Sequence, residues 1–205
     1  NLFVLEDAAQ AIDAYYKDKP LGSIGDFAAF SFHETKNIIS GEGGMLVVNN
    51  SEYIDRAEII WEKGTNRAAF FRGEISKYEW VDVGSSFLPS DIIAAYLYAQ
   101  LENMVDIQEK RANIWNKYFT GLKELEKSNQ IKLPVVPEYA SNNSHLFYIL
   151  VNNQAVRTDF IRHLKEKGIQ AVFHFLPLQE SQYFKKKYNG NHLIYSESYA
   201  KTLVR

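Results

Sequence analysis

The chain has 205 residues, 46% of them hydrophobic and 14% aromatic, which suffices for one sizeable core or for a core and a smaller lobe. A formal net charge of −2 excludes a general electrostatic pull toward nucleic acid, and the absence of cysteine excludes disulfide scaffolds and Cys-ligated metal sites. No apolar run approaches the ~20 residues that span a bilayer. His33, His145, His163, His174 and His192 nowhere show the spacing of a helical zinc site, so neither a membrane nor a metal is expected. Lys185-Lys186-Lys187 reads as a solvated helix face. The cysteine-free composition fits a reducing cytosol, and the expected location is cytoplasmic. Asp and Glu near the N-terminus are unlike a signal peptide.

Leu2-Phe3-Val4-Leu5 reads as a strand buried on both faces, with Glu6-Asp7 at its C-terminal end, the edge where open α/β sheets bind ligands. A short helix is predicted over Ala8 to Ala14, a small hairpin over Tyr15 to Gly22, and strands over Phe27–Phe32 and Met45–Val48. Between those two strands lie the polar loop His33 to Asn37 and the cluster Gly41-Glu42-Gly43-Gly44. That cluster precedes a strand and reads as a tight turn needing positive φ, not as a dinucleotide fingerprint. Ser51 is the expected N-cap of a helix over Glu52–Lys63, and 65–89 is a long connection. Helices follow over Ile92–Met104, capped by Ser90-Asp91, and over Asp106–Lys127; Tyr96 and Tyr98 are expected in the core or at a subunit interface. Strand 145–151, helix 156–167 and strand 169–173 read as a βαβ lobe. The chain opens in a strand and closes on 200–205, which reads as a helix cut before its cap. A fragment of a longer polypeptide is therefore expected.

Two residues on this frame carry chemistry. In a parallel sheet, Asp7 and Lys36 would sit at the same carboxyl edge. There a carboxylate can hold a protonated ring nitrogen, an uncharged amine can attack a carbonyl carbon, and the Ser31 hydroxyl can bind a phosphate. The plain alternatives stand beside this reading. Asp7 can cap a helix at Ala8, and a lysine after a strand is commonly a solvated loop residue.

Glu6-Asp7-Ala8-Ala9-Gln10-Ala11, Gly22-Ser23-Ile24-Gly25-Asp26, Phe30-Ser31-Phe32-His33-Glu34-Thr35-Lys36-Asn37 and Gly41-Glu42-Gly43-Gly44, in this order, resemble the DegT/DnrJ/EryC1/StrS aminotransferase family. The resemblance continues through Ser90 to Ala95 and Gly168 to His174. It implies an α/β fold of the aspartate-aminotransferase (type I) class: an N-terminally truncated large domain over residues 1–104, a connecting long helix over 105–130, and a small, incomplete C-terminal α/β domain over 131–205. It also implies pyridoxal 5'-phosphate (PLP) as cofactor, a nucleotide-linked keto sugar and glutamate as substrates, and a homodimer with shared active sites.

Carried over residue by residue, the resemblance assigns Asp7 to the pyridine nitrogen, Gln10 to the ring-hydroxyl side, Ser31 to the phosphate, and Lys36 to imine formation and proton transfer. Family members commonly place an Asn in a Gly-Tyr-Asn-Tyr-Arg stretch that reaches the neighbouring subunit's phosphate. Here the stretch is Gly84-Ser85-Ser86-Phe87-Leu88, with Ser86 at the Asn position. Arg67, Arg72 and His174 are candidate substrate contacts. Arg56 to Ile60, Glu62 to Arg67, Phe70 to Gly73 and Gly84 to Leu88 are similar to family members that aminate C4 of dTDP-4-keto-6-deoxyglucose for a surface polysaccharide of the enterobacterial common antigen type. Relatives that dehydrate at C3 carry His in place of the lysine, so Lys36 favours amination. A non-catalytic or regulatory relative is the other alternative. The family's N-terminal segment carries the residue that stacks on the cofactor, so activity of this fragment alone is not expected.

Overall fold

A computed structural model describes residues 2–205. Asn1, the first residue of the expected first domain, lies outside the described residues. The chain opens on strand β1 (Leu5–Asp7), a hairpin of β2 (Tyr15–Tyr16) and β3 (Lys19–Pro20), and two longer strands, β4 (Phe27–Ser31) and β5 (Gly44–Val48). β4 is central: β1 pairs with it in parallel and β5 antiparallel. The register sets Glu6 opposite Ala28 and Asp7 opposite Ala29. Because side chains alternate along a strand, Asp7, Ala29 and Ser31 share one face of the sheet, and Glu6, Ala28 and Phe30 the other.

That second face is held by the Glu6 carboxylate. Its oxygens accept the backbone N–H groups of Gly22, Ile24 and Gly25, each at 2.7 Å. Asn49 adds Nδ2 donations to the carbonyls of Gly22 and Gly25, both at 2.9 Å, and Asp26 accepts Val4 N–H at 2.9 Å. The two glycines are required by close approach. A Cβ on Gly22 would lie 2.5 Å from the Phe30 ring, and one on Gly25 would lie 2.7 Å from the Val4 carbonyl oxygen.

Several expectations are corrected here. The first strand is not buried on both faces: it forms one edge of a three-stranded sheet, and Leu5 is 67% exposed. Residues 8–14 form successive turns in place of a helix, because the Asp7 carboxylate accepts Ala9 N–H at 3.2 Å and tightens the chain at once. The hairpin forms as expected, its two-residue turn carried by Lys17 and Asp18 at positive φ. Ser141 accepts Tyr15 N–H and Tyr139 accepts Lys17 N–H, which joins the segment Pro137–His145 to the first part of the chain.

A 3-10 turn (Ser51–Tyr53) leads into α1 (Ile54–Trp61), and its cap is Asn50, not Ser51. The long connection is ordered. It carries α2 (Arg67–Phe71), pairs with the residue that follows α1 through the bridge Glu62–Ser86, and folds back on itself through the bridge Thr65–Trp80. Gly64 adopts φ +79, and a Cβ there would sit 1.8 Å from the Asp82 carbonyl oxygen. Helix α3 (Asp91–Glu102) has the expected Ser90 cap, whose hydroxyl accepts Ile93 N–H at 3.4 Å. Tyr96 and Tyr98 on it are exposed, not in a core. The following helix is shorter than expected: α4 (Met104–Gly121) ends before a separate turn, α5 (Lys123–Lys127).

The chain divides into two units. One runs to Lys110 and includes Pro137–His145; the other comprises Arg111–Val136 and Leu146–Arg205. In the second unit, β6 (Ile131–Lys132), β7 (Ile149–Val151) and a C-terminal strand β8 (Leu203–Val204) form an antiparallel sheet in that order, with α6 (Gln154–Glu166) and α7 (Ile194–Thr202) between β7 and β8. The expected βαβ unit is replaced by this antiparallel arrangement. Residues 169–173 form no strand of their own and contribute a bridge from Phe173 to Val204 and two backbone hydrogen bonds between Val172 and Arg205, and 200–205 is not a cut helix, since the chain turns into β8 after Thr202. The core of this unit is Ile131, Leu133, Ile149, Val151 and Val204, with Phe119, Phe147 and Phe160 packed against it.

Two predictions follow from these contacts. Desolvation raises the Glu6 carboxyl pKa, but the N–H groups of Gly25, Gly22 and Ile24 together outweigh it and hold the pKa below its ordinary 4.5. The stabilisation is therefore full above pH 4.5 and is lost as pH falls through the lower native value. Glu6→Gln should lower the melting temperature at pH 7, and the gap from wild type should close in acid melts below pH 4; a gap independent of pH would contradict this. Separately, Gly64→Ala should destabilise far more than Gly73→Ala. Both have positive φ, which costs about 1–3 kcal/mol, but a Cβ on Gly73 meets nothing within 4 Å. Urea midpoints of the two variants make the comparison.

Candidate active site

The parallel pairing of β1 and β4 puts Asp7 and the loop after Ser31 at one edge of the sheet. The loop is closed on itself: Phe32 N–H donates to Gly43 O at 2.8 Å, Glu34 N–H to Gly41 O at 2.9 Å, and Ser40 N–H to Phe32 O at 2.7 Å. Gly41 and Gly43 take the positive φ values of 83° and 150° expected of the glycine cluster. Within the loop, Lys36 N–H donates to His33 O at 2.9 Å, a tight turn that sets the lysine at its tip. His33 shapes this turn: its Nδ1 accepts Thr35 N–H at 3.2 Å and lies 2.9 Å from Thr35 Oγ1, while Nε2 is 3.7 Å from Glu42.

Three of the cofactor candidates, Asp7, Ser31 and Lys36, each keep hydrogen-bonding capacity unused. Asp7 Oδ1 accepts Ala9 N–H, leaving Oδ2 without a partner among the described residues. Ser31 Oγ accepts His33 N–H at 3.3 Å, leaving its own O–H to donate. Lys36 is half-buried, and its ammonium has no ion pair or hydrogen bond among the described residues. A free carboxylate oxygen, a free hydroxyl donor and an unpaired amine are the donor set that a PLP ring nitrogen, phosphate and carbonyl carbon need, so the residues fit the cofactor. Gln10 is exposed, and its backbone carbonyl is fixed by Asn143 Nδ2 at 2.7 Å.

The other candidates stand differently. Arg67 pairs with the buried carboxylate of Glu62 and stacks on the Phe71 ring, 4.5 Å from its centroid. Arg72 donates to Glu74 at 2.7 Å and to both oxygens of Glu58 at 2.9 Å, and these partners, Glu74 foremost, hold its guanidinium well above its ordinary pKa. Both arginines are engaged by the chain's own carboxylates, so a phosphate would have to displace an existing partner. The Ser86 hydroxyl is exposed and has no partner among the described residues. His174 lies in the second unit, exposed, with its ring 5.4 Å from that of Phe175. One group escaped the sequence reading: Asn37, next to Lys36, is only 4% exposed, and Gln108 is also buried. A polar residue in a polar loop gives no sign of burial; the only signal was its adjacency to the lysine.

Among the described residues, no group of His, Cys, Asp and Glu could hold a metal ion, and no helix is long and apolar enough to cross a membrane.

Truncating Arg67 tests its structural role. Arg67→Ala leaves the Glu62 carboxylate buried without its cation, with an expected loss of about 3–5 kcal/mol in urea unfolding. Arg72→Ala, between exposed carboxylates, should shift the midpoint little. Equal losses would contradict this assignment.

The family model for the DegT/DnrJ/EryC1/StrS aminotransferases matches residues 1–205. The spore coat polysaccharide biosynthesis protein SpsC of Bacillus subtilis is 33% identical over 92% of this chain and 49% of its own length. The GDP-perosamine synthase of Escherichia coli O157:H7 is 31% identical over 92% of this chain and 48% of its own length. The crystal structure of a DegT/DnrJ/EryC1/StrS aminotransferase from Brucella abortus superposes with a TM-score of 0.81 at 27% identity, covering 99% of this chain and 51% of that one. Further chains of the same fold were solved in PLP and PMP forms. The chain spans about half the length of the curated relatives it matches. Its fold is that of the PLP-dependent sugar aminotransferases, and the chain belongs to the DegT/DnrJ/EryC1/StrS aminotransferase family.

Proposed function

We propose that the intact protein transfers an amino group from glutamate to the C4 ketone of dTDP-4-keto-6-deoxyglucose, giving dTDP-4-amino-4,6-dideoxygalactose for a surface polysaccharide. The observation that supports this most is the convergence of Asp7, Ser31 and the Lys36 loop at one sheet edge, each with an unused valence. The amino-sugar name of a relative, GDP-perosamine synthase, supports the substrate class, and the finer choice rests on the resemblance of segments 56–60, 62–67, 70–73 and 84–88 alone. PLP, when bound, supplies a ring that accepts the electron pair released when a C–H bond next to nitrogen is broken.

The chain's own groups do the rest. The Asp7 carboxylate would hold a proton on the ring nitrogen of the bound cofactor, and the Ser31 hydroxyl would donate to its phosphate. Gln10 would serve the ring-hydroxyl side of the bound cofactor. Lys36 would be the residue that holds the cofactor through its amine, and that amine, when free, would be the group that carries a proton at the substrate carbon. Ser86 is assigned to the cofactor phosphate of a second subunit in a homodimer. Arg67 and Arg72 contact nucleotide phosphates in this reading only by exchanging their present carboxylate partners, and His174 is the weakest substrate candidate.

The test is direct. The intact protein, given glutamate and a panel of dTDP-, UDP- and GDP-linked 3-keto and 4-keto sugars, should aminate the dTDP-linked 4-keto sugar fastest. Lys36→Ala should abolish the visible absorption of lysine-bound cofactor, and Lys36→Ala and Asp7→Asn should each lower turnover by about 100-fold or more. Normal turnover by Lys36→Arg would end the mechanism. Preference for another sugar nucleotide would overturn the substrate while leaving the chemistry intact.

A further inference from the structure

Lys36 stands on a loop, yet imine chemistry requires its amine to be held within a fraction of an ångström of one position. The loop's own hydrogen bonds define its shape but do not tie it to the strand that carries Asp7. That tie is made by the next residue. Asn37 uses its whole amide. Nδ2 donates to Gln108 Oε1 at 2.9 Å and to the Asn143 carbonyl at 2.7 Å, and Oδ1 lies 2.8 Å from His145 Nδ1. Since both amide protons point at acceptors, Oδ1 is the acceptor on the third side and His145 must present Nδ1–H. The partners reach onward. Asn143 Nδ2 donates to the Gln10 carbonyl at 2.7 Å and the Ile12 carbonyl at 2.9 Å, and Gln108 Nε2 donates to Asp13 Oδ2 at 3.3 Å. All these residues belong to the first unit. Gln10 to Asp13 is the turn that begins at Asp7, whose carboxylate holds Ala9 N–H.

We propose that Asn37 is a positioning residue. Through Gln108 and Asn143 it fixes the Lys36 loop to the turn after Asp7, and so sets the spacing between the amine and the carboxylate that act at opposite ends of one ring. This rests on the reading of Lys36 as the imine-forming lysine. The geometry has the features the role requires. A buried amide with every valence satisfied has one low-energy orientation, and a rotation of its side chain leaves at least one buried donor or acceptor unpaired. The peptide joining residues 36 and 37 is planar, so an error in the Asn37 anchor is passed to the Lys36 Cα.

The experiment uses the intact protein with Asn37→Ala, Asn37→Asp and Gln108→Leu, and with Ile149→Ala as a control that weakens the other unit's core. Asn37→Asp keeps the oxygen that faces His145 and loses both donations, so it separates the tie from simple side-chain volume. Two readouts are taken well below each variant's melting temperature: the rate at which the apoprotein captures pyridoxal phosphate into a visible-absorbing form, and kcat against KM for glutamate. The Asn37 variants should slow cofactor capture and lower kcat by about 10- to 100-fold, with KM for glutamate changed by less than about twofold. Ile149→Ala should alter neither despite its lower melting temperature. If the Asn37 variants do not fold, Gln108→Leu, which removes one acceptor of the same amide, should show the same pattern more weakly. Unchanged capture and kcat in variants with lowered melting temperature would overturn the proposal and leave Asn37 a structural residue. Visible absorption that survives Lys36→Ala would instead overturn the reading of Lys36, an outcome seen in a different variant and so told apart.

Discussion

The parallel register of β1 on β4 is the constraint on which the site depends, and the Glu6 carboxylate enforces it. Three backbone N–H groups converge on its two oxygens, so the segment that leads into β4 cannot slide along β1 without breaking all three bonds. A slip of one residue would also exchange the faces of β1, turning Asp7 inward and Glu6 toward the open face. Gly22 and Gly25 serve the same end, because their missing side chains allow Phe30 and the Val4 carbonyl to come close enough for the N–H groups to reach Glu6. The glycine motif thus meets a packing requirement of the strand pair.

Much of this was legible because it is local. The hairpin at Tyr15–Pro20, the Ser90 cap and the positive-φ glycines at 41 and 43 follow from short-range chemistry that a sequence carries openly. So does the position of Asp7 and Lys36 at the ends of neighbouring strands. What was not legible depends on partners distant along the chain. Ala8 to Ala14 has the composition of a helix, yet side-chain capture of Ala9 N–H by Asp7 and of the Gln10 and Ile12 carbonyls by Asn143 offers the backbone another solution. Residues 169–173 alternate like a strand, but β8 pairs with β7, and only Phe173 reaches it. Leu2 to Leu5 has a buried strand's composition while lying exposed at the edge of a three-stranded sheet. Composition reports what a segment can bury, not what stands beside it.

The arginines make the same point for the site. Arg67 and Arg72 in a long polar connection invite a phosphate-binding reading. The structure pairs one with a buried glutamate and the other with two glutamates, and so accounts for their charge within the chain. Lys36 is the contrasting case. It is half-buried and lacks any partner among the described residues, a state that structural lysines avoid because an unpaired ammonium loses solvation without compensation. The two arginines and Lys36 thus differ in what the chain itself already supplies to each cation.

The two adjacent carboxylates show how the fold assigns roles that the sequence leaves equivalent. Glu6 and Asp7 differ by one methylene and one position. Strand alternation sends Glu6 to the face where three N–H groups occupy both of its oxygens. Asp7 goes to the other face, where a single N–H occupies one oxygen and leaves the second open beside Ala29 and in line with Ser31. Exchanging the two residues would keep composition, charge and local propensity almost unchanged. It would nevertheless place a shorter side chain under the glycine loop and a longer one at the sheet edge, so neither would meet its partners. The order of these two acids is the step at which a structural strand becomes a candidate catalytic one.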